Sequence, residues 1–256
     1  MLALSDIHFA LEPLRRVAAT RETLLILGDL VNLTDYRTGE GAVAEVLGLE
    51  FSRASASARG QGDFQQMRSL WLERVGDQID DIRLEIGKAI DAQYERVADA
   101  LDGGHGYVIH GNVDRPGSLQ RSLPSGYEYL HGETREIEGF RFGFVGGGAA
   151  TPLQAEGEVS EEIMEQLLGD IGPVDILCTH VPPALAPLRT DVVTGRAERG
   201  SIPILRYLER HAPRLHLFGD VHQPQASTWR VGRTRCRNVG YFRATERPLR
   251  LDPARL

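Results

Sequence analysis

Six short apolar runs, each stopped by a turn-forming or ligand-type residue, constrain this chain more than any other feature. They are Leu2–Leu4, Leu24–Leu27, Tyr107–Ile109, Phe140–Val145, Ile176–Cys178 and Leu215–Phe218. Each is too short for a helix, so each reads as a strand. Between several of them, Leu11–Ala19, Glu161–Leu168 and Ile202–His211 space apolar residues three or four apart, which predicts helices. Ser160 followed by Glu161 and Glu162 reads as a helix start, as does Ser201 followed by Pro203. Strands and helices that alternate, with loops at the strand ends, predict an α/β sandwich.

The 256 residues suffice for one large domain or two small ones. At 41% hydrophobic and 25% charged, the composition is that of a globular protein. No run of 18 apolar residues occurs, so no membrane span is expected, and the first residues read as a strand rather than a secretory leader. Two cysteines, Cys178 and Cys236, make no disulfide framework, and the expected location is the cytoplasm. Cys178 is expected to be a small core residue. A net charge of −7 argues against broad nucleic-acid binding. Eight arginines crowd the C-terminal stretch from Arg230 to Arg255. On alternating strand positions they read as a solvated sheet face, with a nucleic-acid surface as the alternative.

Residues 53–63, RASASARGQGD, are small and polar and read as a mobile loop. Residues 64–101 lack proline and keep helical apolar spacing, about 57 Å of helix if unbroken. Val75-Gly76 recurs as Ile86-Gly87 and Val97-Ala98, a step of eleven that holds one face nearly straight. A long helix or a kinked pair packed on its own domain is expected; the alternative is a cap over the site or a homodimer contact through 64–101.

The residues that end the strands carry the chemistry. LALSDIHF (2–9) supplies Asp6 and His8, and GDLVN (28–32) supplies Asp29 and Asn32. HGNVD (110–114) supplies Asn112 and Asp114, CTHVPP (178–183) His180, and FGDVHQP (218–224) Asp220 and His222. A strand-end His or Asp alone is commonly structural. Here all sit at the C-terminal ends of expected strands, where α/β proteins place their sites. Their oxygen and imidazole donors suit Mn, Fe, Zn or Mg. Residues two apart on an extended segment point the same way, so Asp-x-His can aim both side chains at one ion.

Taken in order, these blocks resemble the calcineurin-like metallophosphoesterases, whose motifs run D-x-H, GD, GNH(D/E), H and GHxH. A closer resemblance is to the Icc-related phosphoesterases of bacteria and archaea. It rests on GFVGGGAATP (143–152) with SEEI (160–163), DILCTHVPP (175–183), TDVVTGRAERGS (190–201) and NVGYF (238–242), which looks like that family's return strand. The resemblance implies one metal held by Asp6, His8 and His222, a second held by Asn112 and His180, and Asp29 bridging them. It implies two divalent ions, with Mn expected and Fe, Mg or Zn as alternatives, and a bridging hydroxide that attacks phosphorus.

Two positions depart from the family pattern. Val113 stands where the family carries a histidine that assists the leaving group, so activated diesters or another acid are expected. His110 and His131 are candidates for that acid, although a structural role is expected of each. Asp114 then anchors its loop. Asp220 stands where an imidazole is expected; as a ligand of the second metal it shifts preference toward Mn or Mg, and the alternative is a side chain too short to reach. Gly146-Gly147-Gly148 reads as a tight turn or a phosphate approach. Arg196 and Arg199, before the helix near Ser201, are candidate substrate-phosphate contacts.

The resulting expectation is one α/β domain over residues 1–256, a four-layer αββα sandwich of two mixed sheets with a helical insertion at 53–102. Its expected activity is hydrolysis of a small phosphoester, a diester more than a monoester, with Asp29, Asn112 and Asp114 at the reacting centre. No membrane partner is expected and nucleic acid is disfavoured. The alternatives are a scaffold that keeps the fold without turnover, and a nuclease.

Overall fold

The computed structural model describes residues 1–151, 155–193 and 195–255, so Pro152 and Thr194 of the quoted motifs lie outside the described residues. The chain divides into two compact units, Met1–Leu30 with Ala98–Leu256, and Val31–Val97. The first unit contains both large sheets.

The elements of this unit begin with β1 (Leu2–Leu4), α1 (Leu11–Ala18) and β2 (Leu24–Leu27). Helices α2 (Ala42–Leu47), α3 (Leu49–Gln61), α4 (Phe64–Val75) and α5 (Ile79–Leu101) follow in the chain. Next come β3 (Gly106–Ile109), α6 (Pro116–Ser122), β4 (Tyr127–Tyr129), β5 (Glu133–Ile137), β6 (Phe140–Val145), β7 (Gly148–Ala149) and β8 (Glu158–Val159). The remainder is α7 (Glu161–Ile171), β9 (Ile176–Thr179), α8 (Ala186–Arg189), α9 (Ile202–His211), β10 (Leu215–Phe218), β11 (Thr228–Val231), β12 (Thr234–Asn238), α10 (Phe242–Thr245) and β13 (Leu249–Arg250).

The first sheet has the order β13-β1-β2-β3-β4, and the second β11-β12-β10-β9-β6-β5. Both are mixed. β1 to β4 run parallel with β13 antiparallel, and β12, β10, β9 and β6 run parallel between antiparallel edges β11 and β5. Alternation along the strands decides what faces what. Ala3, Leu25, Leu27 and Ile109 share one core with Ile176, Cys178, Leu215 and Leu217, so the two sheets pack on each other. Leu177, Phe218 and Cys236 point the other way, onto Met164, Leu168, Ile204 and Leu208 of α7 and α9. Both cysteines are buried and free, Cys178 between the sheets. All six expected strands form, and Ser160 and Ser201 cap α7 and α9 by accepting from the backbone N–H of Ile163 and Ile204.

Two expectations need correction, and a third is narrowed. Residues 53–61 are helical, not a mobile loop. Small side chains let α3 approach its neighbour: Ser55 and Ala56 are buried, Trp71 Nε1 donates to Ser55 Oγ at 2.8 Å, and Phe51 meets Trp71 edge-on. Of the two forms expected for 64–101, the structure has the kinked pair, so only the unbroken helix is set aside. Gly76 adopts φ +51 and caps α4, a short turn follows, and α5 restarts at Ile79. The NVGYF segment is not a strand throughout. β12 ends at Asn238, whose side chain donates to the carbonyls of Gly219 and Val221, and Tyr241 forms only an isolated bridge with Ser5.

Among the described residues, no helix is long and apolar enough to cross a membrane.

Candidate metal centre

Parallel strands in both sheets deliver the candidate residues from their C-terminal ends. Three loops share one construction: a strand, one small residue, then an aspartate. They are Ser5-Asp6 after β1, Gly28-Asp29 after β2 and Gly219-Asp220 after β10. The aspartates take left-handed φ values of 55, 56 and 67°, and His8 takes 40°. Such backbone costs on the order of 1–2 kcal/mol per residue and collects where a side chain must be aimed. This corrects the extended-segment expectation for Asp-x-His, because the turn does the aiming. Gly28 is required at φ +96, where a Cβ would stand 2.6 Å from Gly111 N and from His180 Nδ1.

Asp6, His8 and His222 place one donor atom each within 4.8 Å of one another, and Asp6, Asp29 and His180 do the same. His8 Nε2 lies 3.2 Å from His222 Nε2, and His222 Nε2 lies 3.5 Å from Asp6 Oδ1. Asp29 faces both histidine groups: Oδ2 is 3.7 Å from His8 Nε2, and Oδ1 is 3.5 Å from His180 Nε2. Asn112 Oδ1 and Asp220 Oδ1 lie 3.1 and 3.7 Å from the same His180 nitrogen. His180 Nδ1 donates to Leu27 O at 2.7 Å, which turns Nε2 toward the cluster.

Burial and proximity set the electrostatics. Burial would raise Asp6, but its close approach to His222, with the charges of His180 and His8 behind, brings it to about 2. Burial pushes Asp29 up to about 7 and Asp220 up to about 6. Burial would lower His180, yet Asp29, Asp220 and Asp6 hold it at about 9, while burial brings His8 down to about 4. Asp6 Oδ1 is buried with no hydrogen-bond partner among the described residues. An orphaned carboxylate oxygen beside two imidazole nitrogens fits a cation.

Asp114 sits behind the cluster. Its carboxylate accepts from the backbone N–H groups of Asp29, Leu30 and Gly111 at 2.8 to 3.1 Å, clamping the β2 and β3 loops together. Val113 contributes its backbone, donating to Asp29 Oδ1 at 3.1 Å. His110 is buried against the Tyr129 hydroxyl, 2.8 Å away, and burial brings it to about 3, so it is neutral at neutral pH and unsuited to protonating a leaving group. The His131 ring stands 4.7 Å from the His110 ring. A Cβ at Gly148 would stand 2.1 Å from Asn112 Cβ, so the glycine run serves close packing. Asn32 lies in the other unit and donates to Glu40 O. Arg196 is exposed, and Arg199 gives a guanidinium N–H to Ala150 O at 2.7 Å.

Sequence reasoning missed two supports. Tyr241 stacks flat on His222, with ring centroids 3.8 Å apart and planes 2° from parallel, and meets His8 edge-on. Arg243 donates through its backbone to Asp6 O and through its guanidinium to His8 O. NVGYF (238–242) was the signal for Tyr241, and Arg243 follows it directly, counted there only among the C-terminal arginines.

No protein-family model matches this chain, and no curated protein sequence matches it. Solved structures share its fold, among them two crystal structures. One aligns with TM-score 0.59 at 18% identity, over 94% of this chain and 90% of its own. The other, TT1561 of Thermus thermophilus, aligns with TM-score 0.52 at 14% identity, over 94% and 89%. At these identities the likeness is one of fold. Fold and site together give a mixed α/β protein of two packed sheets with buried Asp and His groups able to hold a metal ion.

Proposed function

We propose that this chain is a metal-dependent phosphoric ester hydrolase of the calcineurin-like type, built as a four-layer αββα sandwich and acting on a phosphodiester. The observation that carries the reading is Asp29, a buried carboxylate with one oxygen toward His8 and the other toward His180. Asp6, His8 and His222 would hold one divalent ion, Asn112, His180 and Asp220 a second, with Asp29 shared; Mn suits this oxygen-rich set best. Such ions, when bound, polarise a phosphoryl oxygen and lower the pKa of water. The protein's own part is placement. Asp114 fixes the loops of Asp29 and Asn112, Leu27 O fixes the His180 tautomer, and left-handed turns aim three carboxylates inward. With Val113 in place of a side-chain acid, esters with good leaving groups are the favoured substrates.

The test is metal content and hydrolysis of bis-p-nitrophenyl phosphate and p-nitrophenyl phosphate with added Mn. The wild type should carry about two ions and turn over the diester faster. Asp29→Ala should strip metal and lose at least about 100-fold in rate. Near-normal turnover in that variant would sink the two-metal reading. Metal binding without turnover of either ester would favour the scaffold reading.

A further inference from the structure

A second charged feature lies at the opposite edge of the β11-β12-β10 sheet from the metal centre. Arg214, Arg230, Arg233 and Arg235 line an open recess of about 300 Å³. Arg214 and Arg235 sit at the starts of β10 and β12, whereas Asp220 follows the end of β10. Four strand residues, about 13 Å, separate the two places.

All four arginines are exposed, and the protein balances their charge only in part. Arg230 and Arg235 are directly opposed across β11 and β12, so their side chains rise from one face, and like charges so placed repel. Neither has an ion-pair partner among the described residues. Arg214 has Asp175 at 3.8 Å and stands over the Phe140 ring at 5.5 Å. Arg233 Nε donates to Ala212 O at 3.1 Å, an anchor that leaves its terminal nitrogens for another partner. Arg237, two residues after Arg235 on the same strand, has a buried Nε with no hydrogen-bond partner among the described residues.

An anion resolves this arrangement. Guanidinium groups match phosphoryl oxygens two at a time, and four arginines around one recess suit several linked phosphoryl groups better than one carboxylate. We propose that the recess binds a condensed phosphate chain, either free or as the tail of a nucleoside triphosphate. A nucleic-acid strand is disfavoured, because the positive charge is local on a chain of net charge −7. The site does not depend on the metal-centre reading.

The test is calorimetric titration of the full chain, in chelator, with sodium tripolyphosphate, adenosine triphosphate and sulfate. Tripolyphosphate should bind and sulfate should not. Affinity should fall at least about tenfold in Arg230→Gln/Arg235→Gln, one charge-assisted contact being worth that much, and hold in Asp29→Ala. Tighter binding of adenosine triphosphate assigns the nucleotide tail, and equal or tighter binding of tripolyphosphate assigns the phosphate chain itself. The double variant should keep or raise its melting temperature, because a repulsion is removed. The proposal is overturned by no binding, by affinity unchanged in the double variant, by loss only in Asp29→Ala, or by sulfate binding as tightly, which means an adventitious ion only. Tighter binding of a single-stranded oligonucleotide than of either phosphate chain would overturn it in favour of nucleic acid.

Discussion

Tyr241 illustrates how one residue can serve a site it does not complete. Its ring lies flat on His222 and meets His8 edge-on, so it fixes both imidazoles from the side. Partners that orient a ligand commonly matter by about 10–100-fold in metal affinity. Tyr241→Ala is expected to weaken Mn binding about tenfold, read by competition with a metal indicator, and Tyr241→Phe to restore it. Restoration separates ring stacking from any role of the hydroxyl. His216 carries a prediction of its own. It is buried in β10 with Nε2 2.8 Å from Thr179 Oγ1, and burial brings it from 6.5 to about 3. As pH falls, the unfolded chain takes up this proton first. The stability of the neutral ring is therefore complete above pH 6.5 and lost as pH falls toward 3. Between pH 7 and pH 5, urea unfolding of the wild type should lose about 2 kcal/mol more than His216→Gln.

At the scale of elements, local pattern was legible where the apolar period was clear. The strands from Leu2 to Phe218 and the caps at Ser160 and Ser201 follow from runs of a few residues and the side chain that ends them. Helix α3 was not legible, because its small residues give no apolar period and its Ser and Gly favour turns. Only Phe51 and Trp71 packing edge-on, with Ser55 between the helices, makes that segment a good helix. Ala56 is buried there, and Ala56→Leu should force α3 and its neighbour apart at a cost of about 1–3 kcal/mol. Urea unfolding followed by circular dichroism measures that loss; a neutral result would mean the contact is loose.

At the scale of the whole molecule, the metal centre exists only when both sheets are formed. Asp6 and Asp29 come from the first sheet and His180 and His222 from loops of the second, and the shared core of Leu25, Leu27, Cys178 and Leu217 holds the two sets face to face. Metal binding therefore belongs to the folded state and stabilises it by mass action, about 2.7 kcal/mol at 100 times Kd. Added Mn should raise the melting temperature of the wild type, and Asp29→Ala should show little of that rise. A shift of equal size in the variant would place the ion elsewhere.

Local sequence was enough for the kinds of element and for the chemical identity of the donors. Hydrophobic period and turn chemistry act over a few residues, and Asp, His and Asn after a strand mark themselves. It could not say which oxygen faces which nitrogen, that Asp114 would clamp two loops, or that Tyr241 would lie on a histidine nineteen positions earlier in the chain. Those outcomes depend on how far each turn rotates its side chain and on which loops the stacked sheets bring side by side. Such contacts join residues distant in sequence, and they form only once the sheets have packed.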